Sequence, residues 1–120
     1  MKANSFQEFV ADQLEDIPGF KFRRMFSGFG IYSDEVFFGI INGERLYFHI
    51  NDQSKKRYED AGMTFFTAPG SKKPLRLYYE VPPSVLEDRR EAVFWAREAI
   101  ATVDGAELLK SSDLPPRRKR

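Results

Sequence analysis

Apolar and polar residues alternate with a period of two through the stretch from Phe22 to Ile50, and the rest of the chain is organised around it. Leu46, Phe48 and Ile50 point to one side of a strand, while Arg45, Tyr47 and His49 point to the other. Gly28 and Gly30, Ser33-Asp34 and Asn42-Gly43 divide the stretch into three or four short strands. Asn42-Gly43 between two apolar runs predicts a hairpin, because a two-residue type I′ turn requires positive φ at both central positions. The block is therefore an antiparallel meander. Within it Val36 to Ile41 is apolar on both faces, so either helices cover both sides of that strand or one side meets another chain.

The flanks change period. Ser5-x-x-Glu8 has the form of a capping box, and Phe6, Phe9, Val10, Leu14 and Ile17 recur at helical spacing until Pro18-Gly19 closes the helix. After Ile50, Asn51 or Asp52 caps a short helix over Gln53 to Ala61, with Gly62 at its end. Met63 to Thr67 is a further short strand, and Ala68 to Pro74 is a turn-rich, charged loop. Leu75, Leu77, Tyr79 and Val81 alternate with Arg76, Tyr78 and Glu80, which predicts another strand. Pro82-Pro83-Ser84 then starts the last helix, whose apolar stripe is Val85, Ala92, Val93, Ala96, Ala99, Ile100 and Val103. Phe94 projects from nearly the opposite side, and Asp104-Gly105 ends the helix. The basic, proline-containing end from Lys110 onward is expected to be disordered.

The predicted fold class is α+β. A single antiparallel meander sheet of about five strands carries an N-terminal helix, a short middle helix and a longer C-terminal helix. Residues 1–105 form the domain and 106–120 a disordered basic tail. At 120 residues one core suffices without staples, and 12 Phe among them imply a core built largely of aromatic rings. The absence of Cys excludes disulfides, thiolate nucleophiles and Cys-based zinc sites. No stretch has the apolar run of a secretory signal or a membrane span, which leads us to expect a cytoplasmic protein without membrane contact. A net charge of +1 provides no whole-protein attraction to nucleic acid.

Chemistry-bearing residues are sparse. His49 is the lone histidine, and the nucleophile and orienting acid that would make it a general base are missing, so it reads as structural. Without a second His or any Cys, no metal set assembles, and we expect no cofactor. Gly28-Phe29-Gly30 lacks the third glycine and the helix start of a phosphate loop, and reads as turn or bulge glycines. Arg23-Arg24 among Phe22, Phe26 and Phe29 mixes cations and aromatics as single-strand nucleic-acid platforms do. The tail Arg117-Arg118-Lys119-Arg120 would add phosphate affinity. Nucleic-acid binding through Arg23, Arg24 and that tail is thus the competing expectation to a non-enzymatic interaction domain.

The run Arg24-Met25-Phe26-Ser27-Gly28-Phe29-Gly30-Ile31-Tyr32 resembles the opening motif of the TfoX N-terminal domain family, the TfoX/Sxy competence regulators. Asn42-Gly43-Glu44 leading into Leu46-Tyr47-Phe48, the segment Tyr58 to Phe66, Tyr78-Tyr79-Glu80-Val81-Pro82 and Trp95-Ala96 with Ala99 keep the family's order, so the resemblance spans roughly residues 5 to 103. Ser27 replaces the usual first glycine of a Gly-Gly pair, and His49 stands where the family commonly has Lys. The resemblance implies a stand-alone first domain, without the helical second domain of the longer regulators. It also implies a non-enzymatic regulatory role, with a transcription regulator of the cyclic-AMP receptor protein type as partner. Arg24, Met25, Phe26, Gly28, Gly30, Tyr32, Tyr79 and Pro82 are its motif positions, with Met25 or Phe26 expected in the core. Phe37 and Phe94, large and apolar on the less covered sides, are the expected contacts of a homodimer.

Overall fold

The computed structural model of the protein describes residues 2–25, 28–68, 70 and 73–111. Along these residues run α1 (Lys2–Gln13), β1 (Phe20–Met25), β2 (Gly28–Ser33), β3 (Val36–Asn42), β4 (Arg45–His49), α2 (Asp52–Asp60), β5 (Phe65–Thr67), β6 (Pro74–Glu80), α3 (Pro83–Leu86) and α4 (Arg89–Ser111). The strands form one antiparallel sheet in the order β1-β2-β3-β4-β6-β5. The expected α+β meander is what folds, with six strands rather than about five.

The pairing of Asn42 with Arg45 leaves Gly43-Glu44 as the two-residue turn between β3 and β4. Gly43 has φ 64° and Glu44 does not have positive φ. This is the sign pattern of a type II′ turn, glycine first, not the type I′ turn expected from Asn42-Gly43. Between β2 and β3 the extra residue is Phe38: Ile31 faces Gly39 while Tyr32 faces Phe37. Phe38 faces the main core and Phe37 the cluster on the other face, and the bulge shifts the alternation beyond them so that Ile41 joins Phe38 and Ile40 joins Phe37.

The main core lies between one sheet face and the helices. Phe38 and Phe48, both fully buried with ring centroids 5.7 Å apart, meet Ala92, Trp95, Ala96 and Ala99 of α4, Val10 and Leu14 from the N-terminal segment, and Tyr58 of α2. The alanines let α4 sit close to the sheet. Gly39 is required there, because a Cβ at that position would stand 2.8 Å from the Tyr47 carbonyl and 3.2 Å from the Phe48 ring. A smaller cluster of Ile40, Tyr47, Phe66 and Ala68 fills the opposite face. The second apolar face of Val36 to Ile41 is thus covered largely from within the sheet.

Several local expectations give way. Helix α1 starts at Lys2, so Ser5 lies inside it and is not its cap. Phe9, placed on the apolar side by spacing alone, is exposed, whereas Val10, Leu14 and Ile17 are buried. The β6 alternation breaks because Phe65 pairs with Tyr79 and Phe66 with Leu75, leaving Arg76 to Tyr78 as an irregular stretch on that edge. Leu77 is consequently 54% exposed. The last helix is two helices, since Asp88 Oδ1 accepts the backbone N–H groups of Arg90 and Glu91 and starts α4 anew. It then runs through Gly105 to Ser111 and does not end at Asp104-Gly105.

Replacing Phe48 by Ala empties the centre of the main core. The expected cost is about 3–5 kcal/mol of unfolding free energy, measured by denaturant titration.

Candidate functional site

Alternation along β1 divides its side chains: Phe20 and Phe22 pack on the main core, and Lys21 and Arg23 are exposed. Arg23 lies over the Tyr32 ring, 5.4 Å from its centroid. From Tyr32 a row of rings continues across the helix-free face, to Phe37 at 5.2 Å, to Tyr78 at 5.5 Å and to His49 at 5.2 Å. Tyr47 and Phe66 stack at 4.7 Å below it in the small cluster. Each such contact adds about 0.5–1.5 kcal/mol beyond area burial. Gly30 makes room for the row, since a Cβ there would come within 2.9 Å of both Met25 Sδ and the Phe37 ring. The partly buried Tyr32, Phe37 and Tyr78 present an aromatic surface, and His49 closes its end where it meets Thr102 of α4.

Burial dominates the electrostatics of this face. It pushes the Tyr78 phenol up to about 12, with Tyr32 adding to the effect. It also raises Tyr47, where Glu80 adds and Arg45 opposes. Burial holds His49 below its ordinary value. His49 Nδ1 lies 2.7 Å from Thr102 Oγ1, and that hydroxyl donates to the Ala99 carbonyl at 2.7 Å. Thr102 has one proton, so both bonds form together only when Nδ1–H of His49 is the donor. His49 therefore ties the end of β4 to α4, which is the structural role expected of it.

A second surface surrounds α4. Trp95 packs edge-on to Tyr58, 4.8 Å between centroids, with the Arg57 guanidinium 5.2 Å from the Trp95 ring centre. Arg57 is held by both carboxylate oxygens of Glu98, Nη2 to Oε2 at 2.8 Å. Beside them an open depression of about 790 Å³ is lined by Arg57, Asp88, Arg90, Glu91, Phe94 and Trp95. Phe94 is 61% exposed at its edge.

The motif positions separate. Arg23 and Arg24 lie on opposite faces, Arg24 being over Phe29, whose ring packs on the main core. A single platform using both is therefore not assembled. Met25 and Tyr32 are partly buried on the aromatic face, and Gly28 lies against the Ile41 carbonyl, where a side chain would collide. Tyr79 is buried and donates to Glu59 Oε2 at 3.0 Å, and the buried Pro82 stands at the N-cap position of α3 without a side-chain capping bond. Phe26, Arg117, Arg118, Lys119 and Arg120 lie outside the described residues. Sequence reasoning missed Tyr78, Arg57, Trp95, Glu98 and Thr102 as site residues. A signal existed only for the start of α4, where Asp88-x-x-Glu91 has capping-box form.

Because folding raises the Tyr78 pKa above its unfolded value near 10, its contribution is fully present below that value and is lost as pH rises towards about 12. Unfolding monitored between those limits should show stability falling, and Tyr78→Phe should make the fall shallower.

Among the described residues no group of three or more His, Cys, Asp or Glu could hold a metal ion, and no helix is long and apolar enough to cross a membrane. No match to the chain is found among curated proteins. The family model of the TfoX N-terminal domain matches residues 12–103, from the end of α1 into α4. That span holds the whole sheet and both surfaces, and on it the chain belongs to the TfoX N-terminal domain family.

Proposed function

We propose that this chain is a non-enzymatic regulatory domain that acts by binding another protein through the helix-free face of its sheet. The observation that carries the reading is the row Tyr32, Phe37, Tyr78 and His49, four rings in edge or tilted contact and each partly open to solvent. Rigid aromatic side chains lose little conformational entropy on binding and supply the largest contact area per residue. Family membership supports a competence-related regulatory domain. The partner is a transcription regulator of the cyclic-AMP receptor protein type, as the sequence resemblance implies, in a cytoplasmic setting. The role of His49 as a tie between β4 and α4 supports a role without turnover.

Calorimetric titration with a purified regulator of that type tests this reading. Phe37→Glu should weaken binding about tenfold or more while the melting cooperativity is kept; unchanged affinity would overturn the sheet-face reading. Turnover of any general hydrolase or transferase substrate, abolished by a substitution at Tyr47, His49 or Arg24, would overturn the non-enzymatic one.

One observation favours the nucleic-acid reading: edge strand β1 exposes Lys21 and Arg23 on one face and Arg24 on the other. Mobility shifts at low salt decide it. Phosphate contact predicts affinity that falls steeply with added salt and drops with Arg23→Ala. No shift at low salt ends it.

A further inference from the structure

The outward side of α4 has a charge order that its buried side does not require. Arg90, Glu91, Phe94, Arg97 and Glu98 recur at spacings of three and four, so they form one stripe. Arg90, Glu91, Phe94 and Arg97 are exposed and Glu98 partly so, while Ala92, Trp95, Ala96 and Ala99 face the core. Counted outward from Phe94, Glu91 is three residues before it and Arg97 three after, and Arg90 is four before and Glu98 four after. Both pairs are opposite in sign. A helix with this order is complementary to an antiparallel copy of itself.

We propose that two copies of the chain associate through α4, antiparallel about a two-fold axis at Phe94. In that arrangement Glu91 faces the partner's Arg97, and Arg90 faces the partner's Glu98. The two-fold repeats each pair, as an isologous interface requires. Glu98 can take part because its carboxylate, gripped on one side by Arg57, remains 26% exposed. The surface also supplies a knob and a hole. Phe94 is the knob, and the depression of about 790 Å³ between Trp95, Arg57 and Glu91 is the place where the partner's Phe94 lodges. A smaller depression of about 240 Å³ is lined by Arg97, Ile100, Ala101, Pro18 and Ser33. Burial of the two Phe94 rings drives association, and the rim charges select the antiparallel register. A partner of different sequence would have no use for the mirrored charge order. The proposal does not depend on the aromatic sheet face, which such a dimer leaves free.

Sedimentation of the full chain from micromolar to hundreds of micromolar, at low and moderate salt, tests it. The expected result is a dimer that weakens as salt rises. Glu91→Arg and Arg97→Glu should each weaken association about tenfold or more, because each homodimer then opposes like charges twice. Both positions are exposed, so the melting temperature should hardly move. An equimolar mixture of E91R and R97E chains restores both opposite pairs and should associate like the unaltered protein, read by energy transfer between labelled chains. A monomer over the whole range would overturn the proposal. So would a mixture that associates no better than either variant alone, or a dimer that survives Phe94→Glu and dissociates with Phe37→Glu.

Discussion

One extra residue in β3 sets the character of both sheet faces. Phe37 and Phe38 face different layers by the ordinary alternation of a strand, and the extra residue changes the phase beyond them, so that Ile40 joins Phe37 on one face while Ile41 joins Phe38 on the other. Phe38 reaches the helix side, where it meets Phe48 and α4; Phe37 stays on the other, between Tyr32 and Tyr78. A strand in uniform register, slipped by one residue, would exchange these environments along its whole length. The helix-side layer can then be close-packed, with three alanines of α4 letting the helix approach and Gly39 leaving room within the sheet for the Tyr47 carbonyl and the Phe48 ring.

The opposite face is assembled by a different economy. With no helix over it, it depends on rings laid edge to tilt across neighbouring strands and on Phe66 and Ala68, which close over Ile40 and Tyr47. Such a surface satisfies most of its own apolar area and still presents flat aromatic edges to solvent. Its ionisable members are phenols raised by burial and a histidine tied to Thr102. Membership in the TfoX N-terminal domain family agrees with a regulatory part for such a module.

Helix α4 joins the two halves of the design. Its inner stripe belongs to the core, and its outer stripe belongs to the surface. Trp95 bridges them, since it is buried against Tyr58 and covered by Arg57, which Glu98 in turn anchors. Glu98 of the outer stripe is thus held in place through Arg57 and Trp95, while Arg90, Glu91 and Arg97 reach into solvent.

Much of this was determined by the sequence alone. The alternation of Leu46, Phe48 and Ile50 named core residues correctly, and so did the helical spacing of Val10 and Leu14. The motif around Gly28 and Gly30 carried the family, and the position of Phe94 opposite the apolar stripe was enough to expose it. These are local properties, decided by a period of two or of 3.6 and by turn chemistry. What depends on a partner strand was decided by tertiary structure. The bulge at Phe38, the shift between Phe65 and Phe66, and the exposure of Leu77 arise from pairing across the sheet, and no periodicity within a single strand encodes them. The same holds for the opposite facing of Arg23 and Arg24, for the tie from His49 to Thr102 and for the grip of Glu98 on Arg57. Residues 53 or 41 positions apart along the chain become neighbours only when α4 lies down on the sheet, because the contact is a property of the packed layers and not of either segment.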